Sequence, residues 1–447
     1  MADVVWAGPV DAGVASRRPP EGSWRVERHD PTEYFGGDEL RRWSAYRKSQ
    51  RRVSLLTFGL ELALYLLLLA TTIPRRLLDT CLVWAGRLGN RWPFSTTALG
   101  RVGSAGVRLF GADWHGALIF AFLLYGLANL VALPLALWQE HLAHQVGLSL
   151  YTPGAWAWDA GKGLAVGGAL FGCLVFGLYG LIRRFPRRWW LVLALPAAAG
   201  MVAYGYVEPH FPRVYRDIRP LDETSPRERA LGNRLRGLAR RSGVTLTKIK
   251  IIRASRTSRT LGAYVVGLGD QRELVIYDNL LSGATSAEIE AAVAHELGHE
   301  QHRNDVVTYG LSSVALALLL WLIAVVLGRL ARRVGASGPG DVVTLPLLAF
   351  VLWLVFTLAG PVMAYRSRVQ EREADRHALV LTGDPDAFIR LQVRLARRNQ
   401  AEVRPPGWVT TWLRSHPSTY ERIGAARWYR GWLRAQGQKS RPSRRTR

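Results

Sequence analysis

Six stretches of this chain run for roughly twenty residues almost without charge, each long enough to cross the hydrocarbon core of a bilayer as a helix. They are Leu55 to Ile73, Ala117 to Trp138, Gly163 to Ile182, Trp189 to Val207, Tyr309 to Leu330 and Val342 to Tyr365. Core helices of a large soluble protein would carry charge every few residues on one face, and these do not. The runs also reconcile a composition of 49% hydrophobic residues and 17 Trp with a formal net charge of +25. A disordered basic chain is far less apolar, and an ordinary soluble enzyme far less basic. The reading is a mainly α, multi-pass membrane protein of about six transmembrane helices. Its surroundings are the lipid bilayer, and nothing calls for nucleic acid.

The first forty residues hold Asp3, Asp11 and the stretch Arg17-Arg18-Pro19-Pro20, with no apolar core behind a basic start, so no signal peptide is expected. Cys81 and Cys173 lie in or near apolar segments and make neither a disulfide framework nor a zinc-thiolate set. Basic clusters flank almost every span. The loop from Gln139 to Lys162 is the long one poor in positive charge, and since positively charged loops stay on the cytoplasmic side it belongs outside.

Between the fourth and fifth spans lies a polar block. The organisation expected is a polar, flexible segment over 1–45, a four-span region over 46–207, and a small folded polar block over 208–305. A two-span hairpin over 306–365, a second polar block over 366–435 and a basic disordered tail over 436–447 follow. Within the first block, Ser225-Pro226 with Glu228 marks a helix start, and Leu231, Leu235 and Leu238 share one face. Val244 to Ile252 alternates as a half-buried strand does. Thr260 to Leu268 and Glu273 to Tyr277 read as two strands joined at Gly269-Asp270. Thr285 with Glu288 forms a capping box for a helix from about Ser286 to His302.

That helix carries His295-Glu296-Leu297-Gly298-His299. Residues four apart stack on one helical face, so the two imidazoles can share one Zn²⁺ while Glu296 reaches a water on it. A catalytic zinc needs a third protein ligand and an open position. The two-span hairpin brings the chain back to Glu371-Arg372-Glu373-Ala374-Asp375, so Glu371 is a candidate ligand and Asp375 a candidate partner for a ligand imidazole. The same cluster reads equally well as a solvated face of mixed charge. Glu61, inside the first span, is a candidate for a water-filled chamber, or equally for snorkelling or helix pairing.

Taken together, HELGH, two spans, Ser367-Arg368-x-x-Glu371-x-x-Ala374-Asp375 and His416-Pro417-Ser418-x-x-x-Arg422 resemble the membrane-embedded zinc metalloproteases of the CAAX prenyl protease type. The heat-shock-inducible bacterial membrane proteases share that core. Ala263-Tyr264, Val275 to Leu281, Pro209-x-Phe211, Pro220-Leu221, Glu140, Gly147 and Leu148 extend the similarity to about residues 45 to 430. The resemblance implies one Zn²⁺ per chain on His295, His299 and Glu371, with Glu296 as general base and acid. It implies that Asp375 orients His295, and that His416 and Arg422 line the substrate cleft beside the Gly262-Ala263-Tyr264 strand. It also implies a barrel of membrane helices around a chamber, capped by a small α+β gluzincin-like domain facing the cytoplasm.

Two departures bear on the substrate. Gly262 stands where that family has an Asn, and residues 1–45 are polar where eukaryotic members have a further span. A composition rich in Ala, Arg and Gly points to a high-GC bacterial genome, where prenylated CAAX proteins are not expected. A broader membrane endopeptidase acting on membrane-associated or hydrophobic peptides and proteins is the reading favoured. The competing ones are a transporter or channel with a structural or vestigial zinc site, and an intramembrane zinc protease of the site-2 type.

Overall fold

Of the stretches expected to span, each is helical in the computed structural model, which describes residues 12–91, 114–207, 218–256, 258–268, 271–301 and 305–439. Among the described residues, five helical segments are long and apolar enough to cross a membrane, and a sixth apolar helix is shorter. The first is α1 (Gly37–Ala70), whose basic N-terminal half continues well beyond the apolar run. Next come α2 (Ile73–Arg91), α3 (Trp114–Gln145), α4 (Pro153–Arg184) and the shorter α5 (Trp189–Val207). Pro134 in α3 and Pro196 in α5 do not end their helices. Leu130, Leu170 and Leu195 point outward and remain exposed, as side chains facing lipid tails do. The amphipathic α2 went unseen as a separate element. It buries Leu78 and Cys81 in the bundle while Arg75 and Asp79 pair on its outer side.

The sheet block follows: β1 (Ile218–Pro220), α6 (Pro226–Arg241), β2 (Lys248–Ile252), β3 (Ala263–Val266) and β4 (Glu273–Tyr277). Strand order is β1-β2-β4-β3, with β2 parallel to β4 and the other two pairs antiparallel. The β3–β4 hairpin is as expected; its Gly269-Asp270 turn lies outside the described residues, as do Pro209, Phe211, His302 and residues 440–447 of the basic tail, whose first four residues, expected as disordered, instead end a helix at Lys439. Leu231, Leu235 and Leu238 of α6 are buried, while Glu228 ends up paired with Arg219.

Metal helix α7 (Ser286–Gln301) is followed by α8 (Asp305–Leu330), α9 (Leu345–Thr382), α10 (Pro385–Arg398), α11 (Gly407–Leu413) and α12 (Thr419–Lys439). The capping box at α7 is present: Thr285 N donates to Glu288 Oε2 at 2.7 Å and Glu288 N to Thr285 Oγ1 at 3.3 Å. The α8–α9 turn is tied down at the far end of the bundle. There Arg183 donates to the Gly340 carbonyl at 2.8 Å, and Tyr179 and Thr344 share a hydrogen bond of 2.8 Å. So α9 runs from that end back to the sheet block, spanning with its first part and carrying the acidic motif on its second.

One apolar core joins α6, the sheet, α7, the end of α9, α10 and α12. Residues 12–45, expected as a flexible polar segment, are instead packed on this core. Val14, Phe35 and Trp43 are buried in it, and Trp24 stacks on Tyr429. Isolated aromatics among polar residues escape a search for apolar runs, yet each carries a large area to bury.

Candidate metal centre

Gly298 sets the distance between the two elements of the site. A Cβ at this position would lie 2.8 Å from Ala374 Cα and 3.0 Å from His377 Cβ, so only a glycine lets α7 cross α9 this closely. At the crossing, His295 Nε2 lies 3.2 Å from His299 Nε2 and 3.3 Å from Glu371 Oε2, and His299 Nε2 lies 3.4 Å from Glu371 Oε1. Ligands at about 2.1 Å around a tetrahedral zinc stand about 3.4 Å from one another, which is the spacing found. Glu371 Oε2 is buried and, beyond the His295 ring 3.3 Å away, has no hydrogen-bond partner among the described residues, a costly state for a carboxylate unless a cation completes it. The three side chains therefore fit a zinc ion by donor type, spacing and unmet valence.

Around these ligands the sequence-selected residues fall into distinct places. Asp375, one turn beyond Glu371, is buried with Oδ1 2.9 Å from His295 Nδ1. Arg422 of α12 is largely buried and closes on that same carboxylate, Nε lying 2.9 Å from Oδ2 and Nη2 pairing with Oδ1. His416 Nε2 lies 3.2 Å from Glu371 Oε1, its ring mostly exposed and its Nδ1 2.8 Å from Ser415 Oγ. Glu296 is half-buried and has no hydrogen-bonded partner among the described residues.

Electrostatics follow from burial and these neighbours. Burial alone would push the His295 imidazole down, but Asp375 and Glu371 raise it to about 9 while no metal is bound. Burial lifts the Glu296 carboxyl above the ordinary carboxylate range, only partly opposed by His295 and His299.

The edge strand β3 runs beside α7. Ala263 and Val265 face the main core, while Tyr264 packs on the opposite sheet face, its ring 6.3 Å from Tyr277. Gly262 accepts a hydrogen bond from Tyr277 N at 3.0 Å, which continues the pairing one residue before β3. A cavity of about 1060 Å³ opens beside His299, between Met201 and Tyr204 of α5, Tyr309 and Ser312 of α8, and Arg366 and Gln370 of α9. Glu140 pairs with Ser149, and Ser149 bridges to Ser258, so the charge-poor loop after α3 meets the sheet block.

Two supports of the site rest on motif residues, Arg368 and Ser418, to which sequence alone assigned no role of their own. Arg368 donates to the carbonyls of Thr410 and Arg414, both at 2.6 Å, and so holds the segment that leads into His416. Ser418 and Glu421 cap α12 reciprocally, Ser418 N to Glu421 Oε2 at 2.8 Å and Glu421 N to Ser418 Oγ at 3.2 Å. The S-x-x-E spacing was the signal for the second; an arginine serving carbonyls has none.

A multi-pass helical bundle with a His-His-Glu centre against a small mixed sheet defines a membrane zinc metallopeptidase. The chain belongs to peptidase family M48 and carries the membrane region of the CAAX prenyl proteases. Residues 225–429 match the family M48 model, and residues 33–212 match the CAAX prenyl protease N-terminal model of five membrane helices. The uncharacterized metalloprotease YhfN of Bacillus subtilis is 27% identical over 311 residues, 68% of this chain and 71% of that protein. CAAX prenyl protease 1 of Saccharomyces cerevisiae is 25% identical over 330 residues, 69% of this chain and 71% of the yeast protein. The crystal structure of S. mikatae Ste24p superposes with a TM-score of 0.72 at 21% identity, covering 89% of this chain and 91% of that one.

Proposed function

We propose that this protein is a membrane endopeptidase that holds one zinc ion on His295, His299 and Glu371 and hydrolyses membrane-associated or hydrophobic peptides and proteins. The observation that carries this reading is the convergence of His295, His299 and the buried Glu371 on one gap at zinc-ligand spacing, Glu371 Oε2 lying 3.3 Å from the His295 imidazole with no hydrogen bond among the described residues. A zinc ion bound there supplies Lewis acidity, lowering the pKa of water and polarising a carbonyl.

The chain's own groups divide the remaining work. Glu296, raised by burial and free of hydrogen-bonded partners, takes the proton of the attacking water and delivers it to the leaving amine. Asp375 orients His295, and Arg422 holds Asp375 in place rather than reaching a peptide itself. His416, exposed at the site, is the side chain placed to donate to the oxygen that becomes negative during the reaction. The backbone of Gly262-Ala263-Tyr264 at the sheet edge pairs with an extended peptide, which makes the recognition there one of main chain, not of the Tyr264 ring.

Membrane-associated substrates suit a site whose neighbouring cavity is walled by membrane helices. Prenylated CAAX proteins, in the name of the yeast relative, are a narrower class; Gly262 in place of the family's Asn favours the broader one. We place the peptidase domain in the cytoplasm, on kinship, since basic side chains flank both ends of the bundle. Protease accessibility of a C-terminal tag in intact cells tests this, an exposed tag overturning it.

Glu296→Gln removes the base and leaves the ligands. The expected outcome is zinc content equal to wild type with peptide cleavage in detergent reduced at least a hundredfold. Wild-type turnover by this variant would overturn the mechanism.

A further inference from the structure

Residues 12–36 contribute nothing to the zinc ligands, yet they lie along the outer side of α12, the helix that supplies Arg422. Tyr429 Oη donates to the Arg17 carbonyl at 2.8 Å, and Trp24 stacks on Tyr429 and leans on Trp428. Glu27 N donates to the Gly424 carbonyl at 3.1 Å, and His29 stacks on Tyr420 with ring centres 4.4 Å apart. Arg427 gathers Glu27 and Glu33. Tyr420, Gly424, Arg427 and Trp428 recur at the three- and four-residue spacing of one helical face. Arg422, two residues from both Tyr420 and Gly424, projects to the other side, where it meets Asp375 and approaches His295 Nδ1 at 3.3 Å.

Gly424 is the point of closest approach. A Cβ there would lie 2.6 Å from the Glu27 carbonyl oxygen and 2.7 Å from Val26 Cγ1, and the first of these is backbone that cannot swing away. The inner side of α12 packs on α10, so the helix is clamped between α10 and the N-terminal segment. Residues 12–32 precede both regions that match family models, so most of this clamp is supplied from outside them, Glu33 lying at the edge of the first.

We propose that the segment is a strap that sets the depth of α12, so that Arg422 fixes Asp375 and Asp375 fixes His295 for zinc. This rests on the zinc-peptidase reading above. Groups that orient a metal-binding histidine typically change metal affinity ten- to a hundredfold when lost. The strap acts one step further out through Arg422, so its release is expected at the lower end of that range.

The test uses the full-length chain in detergent, with Gly424→Val and, independently, Trp24→Ala; Gly424→Ala replaces the valine variant if that one does not fold. Three quantities are read: protease cleavage within residues 12–36, zinc affinity by chelator competition, and the visible spectrum of the Co²⁺-substituted protein. The expected result is a strap that becomes cleavable, zinc affinity lower by about tenfold, and an altered Co²⁺ spectrum. A cleavable strap with wild-type affinity and spectrum would overturn the proposal, and so would a strap that stays resistant in both variants. Failure of the wild-type chain to bind zinc or Co²⁺ would bring down the zinc reading and the strap with it. Normal wild-type binding with unchanged variants would bring down the strap alone.

Discussion

Asp375 Oδ1 lies 2.9 Å from His295 Nδ1, so the ligand imidazole is held by a buried carboxylate on the side away from the metal. That contact places the ring proton on Nδ1 and leaves the Nε2 lone pair directed at the gap shared with His299 and Glu371. Asp375→Asn keeps the size of the side chain and removes its charge. Zinc affinity measured by chelator competition should fall ten- to a hundredfold, with the helical content unchanged. An unaltered affinity would show that the carboxylate is not what orients His295.

Proton competition at the same residue gives zinc binding a predictable pH dependence. Without metal, burial opposes the charged form of His295, yet Asp375 and Glu371 raise it to about 9. An ordinary histidine titrates near 6.5, so the charged ring contributes stability to the metal-free fold that is complete below about 6.5 and lost as pH rises through about 9. The melting temperature of the metal-free protein should therefore decline across that window. Zinc requires the neutral ring and must displace the proton. Apparent zinc affinity should climb about tenfold per pH unit through that range and level off above it. Calorimetric titrations at several pH values check both trends, and a flat affinity profile would sink the argument.

Gly298→Ala tests the helix crossing directly. The added carbon has backbone at 2.8 Å and 3.1 Å on Ala374, which cannot yield without moving α9. Overpacking of this kind costs about 1–3 kcal/mol, and here the displaced helix also carries Glu371. The variant should melt lower and bind zinc more weakly, whereas Gly262→Ala, whose Cβ would meet only the Tyr277 ring at 3.4 Å, should change neither. Equal behaviour of the two variants would contradict the crossing as the determinant.

Local pattern encodes part of this fold, and long-range packing the rest. The spans were legible because length and absence of charge are properties of a single segment. HELGH was legible because both ligands lie on one turn of one helix. Glu371 was a candidate but not more, since nothing in Glu371-x-x-Ala374-Asp375 tells a ligand from a solvated carboxylate until α9 is seen returning to α7. Arg422 was assigned to the cleft by resemblance, and its burial against Asp375 depends on how α12 packs, which spacing does not report. The strap was read as flexible because Trp24, Phe35 and Trp43 form no period of their own. They match a surface assembled from residues nearly four hundred positions away, so only the folded partner reveals them.

Glu61 is the one carboxylate within the first apolar run, and its environment makes a separable prediction. Trp353 Nε1 of α9 donates to Glu61 Oε2 at 3.0 Å, and Tyr65, Phe350 and Trp353 form an aromatic group beside it. The pair ties α1 to α9 within the bundle, the helix-pairing role among those open to an intramembrane acid. If the role is to accept that one hydrogen bond, Glu61→Gln should preserve it through the amide oxygen and leave both stability and peptide cleavage near wild type. Glu61→Leu leaves the indole N–H without a partner, which costs about 1–3 kcal/mol. Thermal melts in detergent should show the leucine variant lowered and the glutamine variant unchanged, with cleavage per folded molecule equal in both. Loss of cleavage by a normally folded glutamine variant would instead assign the charge of Glu61 to the chemistry of the chamber.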